Sequence, residues 1–244
     1  MNAPLIRVRG LTVGYADRVL LENADFDVER GDVFVILGGS GCGKSTLLRH
    51  LIGLERPLGG SIEIAGVGAP QLRGEAPEYG VMFQSGALFS SLTVGENVAF
   101  ALSEWTDLPQ PAISAIVRAK LALVGLEAAE DKLPAEISGG MKKRAAIARA
   151  LAFEPALLFL DEPSAGLDPV SAAELDELIG VLNRALGLTV VMVTHELPSI
   201  FKVGKNCIML DKESRSIIAR GDPRALEQRS GDPRVRRFFR REAA

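Results

Sequence analysis

The sequence predicts an α/β protein, a nucleotide-binding core into which a helical block is inserted. An apolar run at residues 33–37 leads into a glycine-rich segment, residues 38–45, and a helical pattern follows. A buried strand, a glycine-rich loop and a helix in this order are typical of phosphate binding. From residue 93 to residue 153 the hydrophobic period changes from that of strands to that of helices, and strand-like runs return afterwards. We therefore expect one core with an insertion.

The composition is that of a globular protein, and it argues against a nucleic-acid-binding, a disulfide-rich or a membrane-spanning protein. The chain has 244 residues, 47% of them hydrophobic and 24% charged, with a net charge of -3. This balance gives no whole-molecule reason to expect a nucleic-acid partner. Two cysteines provide no disulfide framework, which favours a reducing compartment. No apolar run reaches the ~18 residues that span a bilayer, so we expect any membrane role to be peripheral.

The elements can be assigned in order from periodicity and turn residues. Alternating runs predict half-exposed strands, and continuous apolar runs predict buried ones. Proline in the first turn of two helices, a glycine at position 125 and a serine at position 138 mark helix ends. The predicted strands are 6–13, 19–28, 33–37, 61–64, 79–83, 157–160, 189–194, 207–210 and 217–219. The predicted helices are 46–52, 94–102, 111–124, 140–153, 169–186, 223–228 and 233–239.

The end of the chain is strongly basic. Residues 229–241 carry six arginines against Asp232, a net charge of +5. Such a run predicts an acidic partner or a membrane surface, and a solvated tail is the simpler alternative.

The glycine-rich segment predicts a phosphate site. Its glycines allow backbone N–H groups to turn inward around an anion. Lys44 can reach the β- and γ-phosphates, and the Ser45 hydroxyl can hold Mg²⁺. The position of Cys42 inside the loop predicts that a thiol reagent blocks ATP binding. The predicted nucleotide-binding residues here are Gly38, Gly39, Ser40, Gly41, Cys42, Gly43, Lys44, Ser45 and Thr46.

Polar side chains at three other strand ends predict the remaining chemistry. Asp161 and Glu162 follow a buried strand, where Asp161 can orient Mg²⁺ and Glu162 can polarise the attacking water. His195 ends the next strand and can hold that water in line with the γ-phosphate. Gln84, after residues 79–83, can give an amide oxygen to Mg²⁺ or to the water. His50, inside a helix, is expected to be structural.

Two further features point to nucleotide contacts. Tyr15, at the end of the first strand, can stack on adenine. Ser138, Gly139 and Gly140 open a helix with a donor-rich N-terminus that fits a second anion. This second site cannot easily bind the phosphate that Lys44 binds if the helical block stands apart. A head-to-tail homodimer, in which each copy closes the other's ATP site, resolves the conflict.

Together these motifs resemble the nucleotide-binding subunit of ATP-binding cassette (ABC) transporters, over nearly the whole chain. Residues 38–45 match its Walker A loop, 157–162 its Walker B strand and 137–141 its signature. Gln84 matches the Q-loop, residues 164–168 the D-loop, His195 the switch histidine and Tyr15 the A-loop aromatic. The resemblance implies a P-loop NTPase core with an antiparallel β subdomain and a helical subdomain. It also implies ATP hydrolysis and a nucleotide contact from Asp168.

Within the family the chain is most similar to the Mla/MCE-type lipid-transport branch. The supporting segments are residues 83–89, Met141 where most relatives have Gln, and residues 232–238. This resemblance implies a membrane permease, a small STAS-type subunit and an MCE-domain protein as partners, at the cytoplasmic face of a bacterial inner membrane. It implies one nucleotide-binding domain, with residues 1–92 and 154–222 as the core and β subdomain, 93–153 as the helical subdomain and 223–244 as a basic extension.

Two alternatives remain open at this stage. A soluble ATP-switched scaffold, such as the cassette ATPase of iron–sulfur assembly, would carry the same motifs without a permease. A transporter for a different solute would also carry them, because the chain itself contains no cargo site.

Overall fold

A computed structural model describes residues 3–15, 18–71 and 78–241. Its centre is a six-stranded sheet with the spatial order β5, β6, β7, β3, β8, β9. The first five of these strands are parallel, and the last pairs antiparallel. The strands are β3 (Val33–Gly38), β5 (Gly80–Met82), β6 (Leu157–Asp161), β7 (Thr189–Val193), β8 (Asn206–Asp211) and β9 (Ser216–Gly221).

A second, antiparallel sheet of three strands has the order β2, β1, β4. It contains β1 (Ile6–Tyr15), β2 (Arg18–Val28) and β4 (Gly59–Ile64). The expected antiparallel β sheet is therefore present.

Eight α-helices complete the described part of the chain. The predicted helix ends have the expected chemistry: the Ser138 hydroxyl accepts a hydrogen bond from the Met141 N–H, and the longest helix begins with Pro169. Gly125, just past the end of another helix, has a left-handed backbone (φ 68°). The helices are α1 (Lys44–Leu51), α2 (Val94–Trp105), α3 (Gln110–Leu123), α4 (Gly139–Ala150), α5 (Pro169–Leu186), α6 (Leu197–Val203), α7 (Pro223–Arg229) and α8 (Pro233–Arg240).

Two apolar cores lie on opposite faces of the central sheet. Along β3, Val33, Val35 and Leu37 pack with α2 to α6 and α8, while Phe34 and Ile36 pack with the antiparallel sheet and α1. This division follows from the two-residue period of a strand, which turns successive side chains to opposite faces. Because both faces of β3 are covered, the loop that follows it is held from both sides.

The structure differs from the sequence prediction mainly after residue 195. Helix α6 was not predicted, because its seven residues contain Pro198 and give too short a pattern to register as periodic. The basic end is not simply a solvated tail, since Val235 and Phe239 of α8 are buried in the core. Among the described residues no helix is both long and apolar enough to cross a membrane. The division into subdomains stays a prediction.

Candidate functional site

The sheet order brings the four predicted strand ends to one edge. Strands β5, β6, β7 and β3 are consecutive neighbours and run parallel, so their carboxyl ends meet. These ends carry Gln84, Glu162, His195 and the glycine-rich loop. They border a cavity of about 650 Å³ lined by Arg18, Leu20, Gly38, Gly39, Ser40, Gly41, Gly43, Lys44, Ser45, Thr46, Gln84, Glu162, His195 and Phe238.

The glycine-rich loop begins at Gly38, whose backbone conformation and surroundings leave no room for a side chain. Gly38 has φ 143°, and a Cβ there would lie 2.5 Å from both the Cys42 Sγ and the Leu210 carbonyl oxygen. The Lys44 ammonium donates hydrogen bonds to the carbonyl oxygens of Gly38 (2.9 Å) and Gly39 (3.1 Å). These contacts hold the lysine head over the loop, beside the cavity, where it can meet phosphate oxygens.

Cys42 is the loop residue whose environment agrees least with its expected reactivity. Its side chain is 2% exposed, and burial raises the pKa of its thiol. It is also absent from the residues that line the phosphate cavity. Because the thiolate is the reactive form, a buried thiol with a raised pKa is a poor target for alkylation. These observations argue against the expectation that a thiol reagent blocks ATP binding, which stays a prediction.

Ser45 and Asp161 form a pair of oxygen donors suited to Mg²⁺. The Ser45 hydroxyl donates to Asp161 Oδ1 at 3.3 Å. Octahedral Mg²⁺ with ligands at about 2.0–2.1 Å places neighbouring ligand oxygens roughly 3 Å apart, so the pair fits adjacent coordination positions. Burial raises the pKa of Asp161 and the charge of Glu162 adds to this, while the hydrogen bond from Ser45 opposes it. A cation beside this carboxylate would favour its ionised form.

The described residues contain no cluster of three or more His, Cys, Asp or Glu side chains that could hold a metal ion alone. Mg²⁺ commonly takes only one or two protein ligands and completes its shell with phosphate oxygens and water. The donors at this edge fit that pattern.

Glu162 and His195 are in direct contact. Glu162 Oε1 lies 2.9 Å from His195 Nδ1, and Glu162 Oε2 is buried without a hydrogen-bond partner among the described residues. The Glu162 residue is 9% exposed and has a left-handed backbone with φ 47°. A strained backbone of this kind persists where the surroundings hold it, often at functional sites. One oxygen is thus held by the imidazole, and the other is closed to solvent and has no partner among the described residues.

Gln84 lines the cavity, and its backbone is held by a lysine that sequence reasoning missed. The Lys143 ammonium donates to the Gln84 carbonyl oxygen and, at 3.4 Å, to that of Glu162. Burial lowers the pKa of Lys143, while the charges of Asp161 and then Glu162 oppose the shift. The sequence contains no signal for this contact, because Lys143 and Gln84 are far apart in the chain.

The predicted second anion site lies apart from the cavity. Ser138, Gly139 and Gly140 stand at the start of α4 and do not belong to the described residues lining the cavity. Ser138 and Gly139 are exposed. Asp168 is also outside the cavity, and its carboxylate caps α5 by accepting from the N–H groups of Val170 and Ser171 at 3.0 Å. Their predicted nucleotide contacts stay predictions.

Tyr15 is 48% exposed and does not line the cavity, although its hydroxyl accepts a hydrogen bond from Arg49 at 3.4 Å. Arg18, Leu20 and Phe238 line the cavity instead, and sequence reasoning did not select them. The first two follow the Tyr15 strand end, which could have drawn attention to them. Phe238 reaches the cavity only because α8 folds back on the core.

His50, as expected, is buried, with Nδ1 2.8 Å from the Thr46 carbonyl oxygen.

Comparison with known proteins agrees with this geometry. A family model described as "ABC transporter" matches residues 21–165. The "Intermembrane phospholipid transport system ATP-binding protein MlaF" of Escherichia coli (strain K12) is 41% identical over 243 residues, covering 97% of this chain and 89% of that protein. The "Probable ribonucleotide transport ATP-binding protein mkl" of Mycobacterium leprae is 42% identical over 239 residues, covering 96% and 68%.

Solved structures have the same fold. The ATP-binding cassette MJ0796 bound to ADP and Pi, described as dimeric, matches with a TM-score of 0.78 at 26% identity, covering 89% of this chain and 98% of that one. CbiO1 from Clostridium perfringens, part of the ABC transporter complex cbiONQ, matches with a TM-score of 0.80 at 29% identity, covering 99% and 100%. The P-loop NTPase fold inferred from the motifs is confirmed. The chain belongs to the ABC transporter family and is an ATP-hydrolysing subunit of a transporter.

Proposed function

We propose that two copies of this chain bind two ATP molecules between them and drive a membrane permease that moves phospholipid. The observation that carries the lipid assignment is the 41% identity with MlaF over 97% of the chain. The relative mkl, at 42% identity, is named for ribonucleotide transport, so a different solute is the alternative cargo.

The incomplete cavity supports a head-to-tail dimer. Lys44 and Glu162 line the cavity, whereas Ser138 and Gly139 are exposed at the start of α4 and outside it. An exposed helix start with free N–H groups suits an anion brought by another molecule. In the proposed dimer each copy's Ser138 covers the ATP that is bound by the other copy's Lys44.

The residues at the cavity edge then divide the work. Ser45, Asp161 and the Gln84 amide oxygen would hold Mg²⁺, which supplies charge neutralisation at the phosphates. Glu162 takes a proton from the attacking water at its carboxylate, which lines the cavity. His195, 56% exposed at its side chain, extends from Glu162 into the cavity and positions the water and the γ-phosphate.

An apolar groove beside Gln84 suits a helix from the permease. It has a volume of about 360 Å³ and is lined by Ile52, Leu54, Tyr79, Gly80, Val81, Phe83, Ala101, Arg149, Ala150, Phe153 and Pro155. Leu54 is 42% exposed and Phe83 37%. Next to the groove, the exposed rings of Phe89 and Phe100 are in contact, with their centroids 4.9 Å apart and their planes inclined at 56°. Exposed apolar patches of this kind mark interaction sites.

The remaining partners are proposed from the resemblance to the Mla/MCE branch. They are a small STAS-type subunit and an MCE-domain protein, and the complex would lie at the cytoplasmic face of the inner membrane. The basic surface of α8 supports a contact with an acidic partner or with anionic headgroups.

Co-purification tests this proposal. The tagged full-length chain, extracted from its native membranes in mild detergent, should bring down an integral membrane protein together with phospholipid. Leu54→Glu should abolish the association by placing a charge in the groove. Leu186→Glu, the same change at a leucine that is 52% exposed and outside the groove, should leave it intact.

Three results would contradict the proposal. Recovery of only soluble partners would favour the scaffold reading. A nucleotide in place of lipid in the complex would favour the cargo for which mkl is named. Equal recovery by both glutamate variants would show that the permease docks elsewhere.

A further inference from the structure

A buried lysine joins the backbones of Gln84 and Glu162, two residues that line the cavity. Lys143 is 7% exposed and lies in the second turn of α4. Its ammonium donates to the backbone carbonyl oxygens of Gln84 and Glu162. A buried ammonium is costly unless its donors are used, and these two carbonyl oxygens use them. The roles assigned above do not use it.

The Glu162 backbone needs this support. Its left-handed φ of 47° is unfavourable for a residue with a Cβ. Its N–H donates to the Val193 carbonyl oxygen at 2.8 Å, and its own carbonyl oxygen accepts from the Ala165 N–H at 3.1 Å and from Lys143. The carboxylate position therefore depends on a peptide group that the lysine helps to hold.

Helix α4 also holds the segment that follows Gln84. Arg149 donates to the carbonyl oxygens of Gly86 at 2.9 Å and Ala87 at 2.6 Å. Lys143 and Arg149 thus fix residues 84–87 at two points from one helix. Of these two cations, Lys143 alone also contacts Glu162.

We propose that Lys143 is a positioning residue for ATP hydrolysis, which sets the placement of the Gln84 and Glu162 side chains by holding both backbones. This inference rests on the proposed role of Glu162 as the base. It has a consequence for the proposed dimer, because Ser138 and Lys143 are five residues apart on α4. They are separated by roughly 7.5 Å along the helix axis. If α4 moved when Ser138 contacts the ATP bound by the partner, Lys143 would move with it. The Glu162 carboxylate of the same chain would then shift.

The test compares Lys143→Met with Lys142→Met in the full-length chain, assayed with the subunits that co-purify with it. Methionine keeps the length of the side chain and removes the donors. We expect Lys143→Met to lower kcat by at least about tenfold, since a misplaced catalytic group is costly. The Kd for ATP, measured without hydrolysis, should change less than about threefold. Lys142→Met, on the neighbouring half-exposed residue, should leave both unchanged.

A second pair of measurements separates positioning from a merely structural role. In the Glu162→Gln background, Lys143→Met should reduce the residual turnover by a much smaller factor than it reduces the parent's turnover, because one of the two groups that it positions is already lost. Lys143→Gln retains a donor, so its kcat should lie between those of the parent and Lys143→Met. It replaces Lys143→Met in these measurements if Lys143→Met does not fold.

Each other result overturns the inference. The inference is wrong if kcat is unchanged in a folded Lys143 variant, if kcat and ATP affinity fall together, or if the two substitutions are additive. Full turnover by Glu162→Gln alone would instead refute the proposed base, and the two failures are thereby distinguished.

Discussion

At the scale of single residues, the site depends on one carboxylate with two different oxygens. Glu162 Oε1 contacts the His195 ring, and Oε2 is buried without a partner among the described residues. An unpartnered buried oxygen is costly, so we expect it to accept a hydrogen bond when the site is in use. The attacking water can supply that bond only after the site rearranges, because Oε2 is closed to solvent in this structure.

Glu162→Gln should therefore lower ATP turnover by at least about 100-fold, because loss of a general base typically removes that much. The amide keeps the shape and the contact with His195, so ATP binding should survive. Phosphate release and nucleotide binding, measured on the same preparation, check the two parts separately.

Lys44→Ala is the opposite case. It removes the only ammonium among the described residues that line the cavity, so ATP binding itself should fail. Glu162→Gln with parental turnover, or Lys44→Ala with parental ATP affinity, would show that these roles are wrongly assigned.

At the scale of elements, α8 is the least expected part of the fold. Its Val235 and Phe239 are buried, and the Phe239 ring packs against that of Phe201 in α6, with the ring centroids 5.7 Å apart. Arg234 bonds to Asp232 at 2.7 Å and to Asp211 at 3.0 Å. These contacts bring Phe238 to the ATP cavity. A short helix with alternating basic and apolar residues is thus attached to the core through its apolar side.

Asp232 caps this helix and holds Arg234, which reaches Asp211 of β8, so the attachment of the helix should be sensitive to acid. The hydrogen bonds from Arg234 lower the pKa of Asp232 to about 2, below the ordinary aspartate value of about 3.9. A carboxylate with a lowered pKa stabilises the folded form above the unfolded pKa, and its contribution is lost as pH falls from about 4 towards 2.

Asp232→Asn should therefore loosen α8 at neutral pH, with hydrogen exchange of residues 233–240 several-fold faster than in the parent. The difference between parent and variant should shrink as pH is lowered through this range. Both proteins are compared at each pH, so that the intrinsic exchange rate cancels. Asp232→Ala, which also removes the helix cap, should loosen α8 further. Identical exchange in all three proteins would rule out an anchoring role.

At the scale of the whole molecule, the proposed dimer would make each chain half of two sites. The cavity contains the phosphate loop and Glu162, and the exposed start of α4 lies next to Ser138. Closing a cavity with a helix start from an identical chain produces two equivalent sites around a twofold axis.

The Glu162→Gln chain, which should bind ATP without consuming it, is expected to elute as a dimer with Mg²⁺ and ATP and as a monomer without nucleotide. Adding Ser138→Arg should prevent the dimer, because a long charged side chain would occupy the place of the partner's phosphates. Size-exclusion chromatography with light scattering measures both states.

Ser103→Arg, the same change at an exposed serine of α2, is the control and should still dimerise. A dimer that forms despite Ser138→Arg, or one that forms equally without ATP, would speak against the head-to-tail arrangement.

The sequence by itself determined the fold class, most helices and strands, and several of the residues that stand at the cavity edge. This was possible because the signals are local. The phosphate loop of residues 38–45 needs particular residues at fixed spacing, and Asp161, Glu162 and His195 each follow a recognisable buried strand. Parallel strands then bring those ends together.

Only the tertiary structure decided which side chains meet across long sequence separations. It placed Lys143 on the backbones of Gln84 and Glu162, brought Phe238 to the cavity and buried the Cys42 thiol. The physical reason is that burial and contact depend on how elements pack, and packing leaves no periodic trace at a single residue. Several residues of the cavity edge were therefore predictable, and the contacts that hold them in place were not.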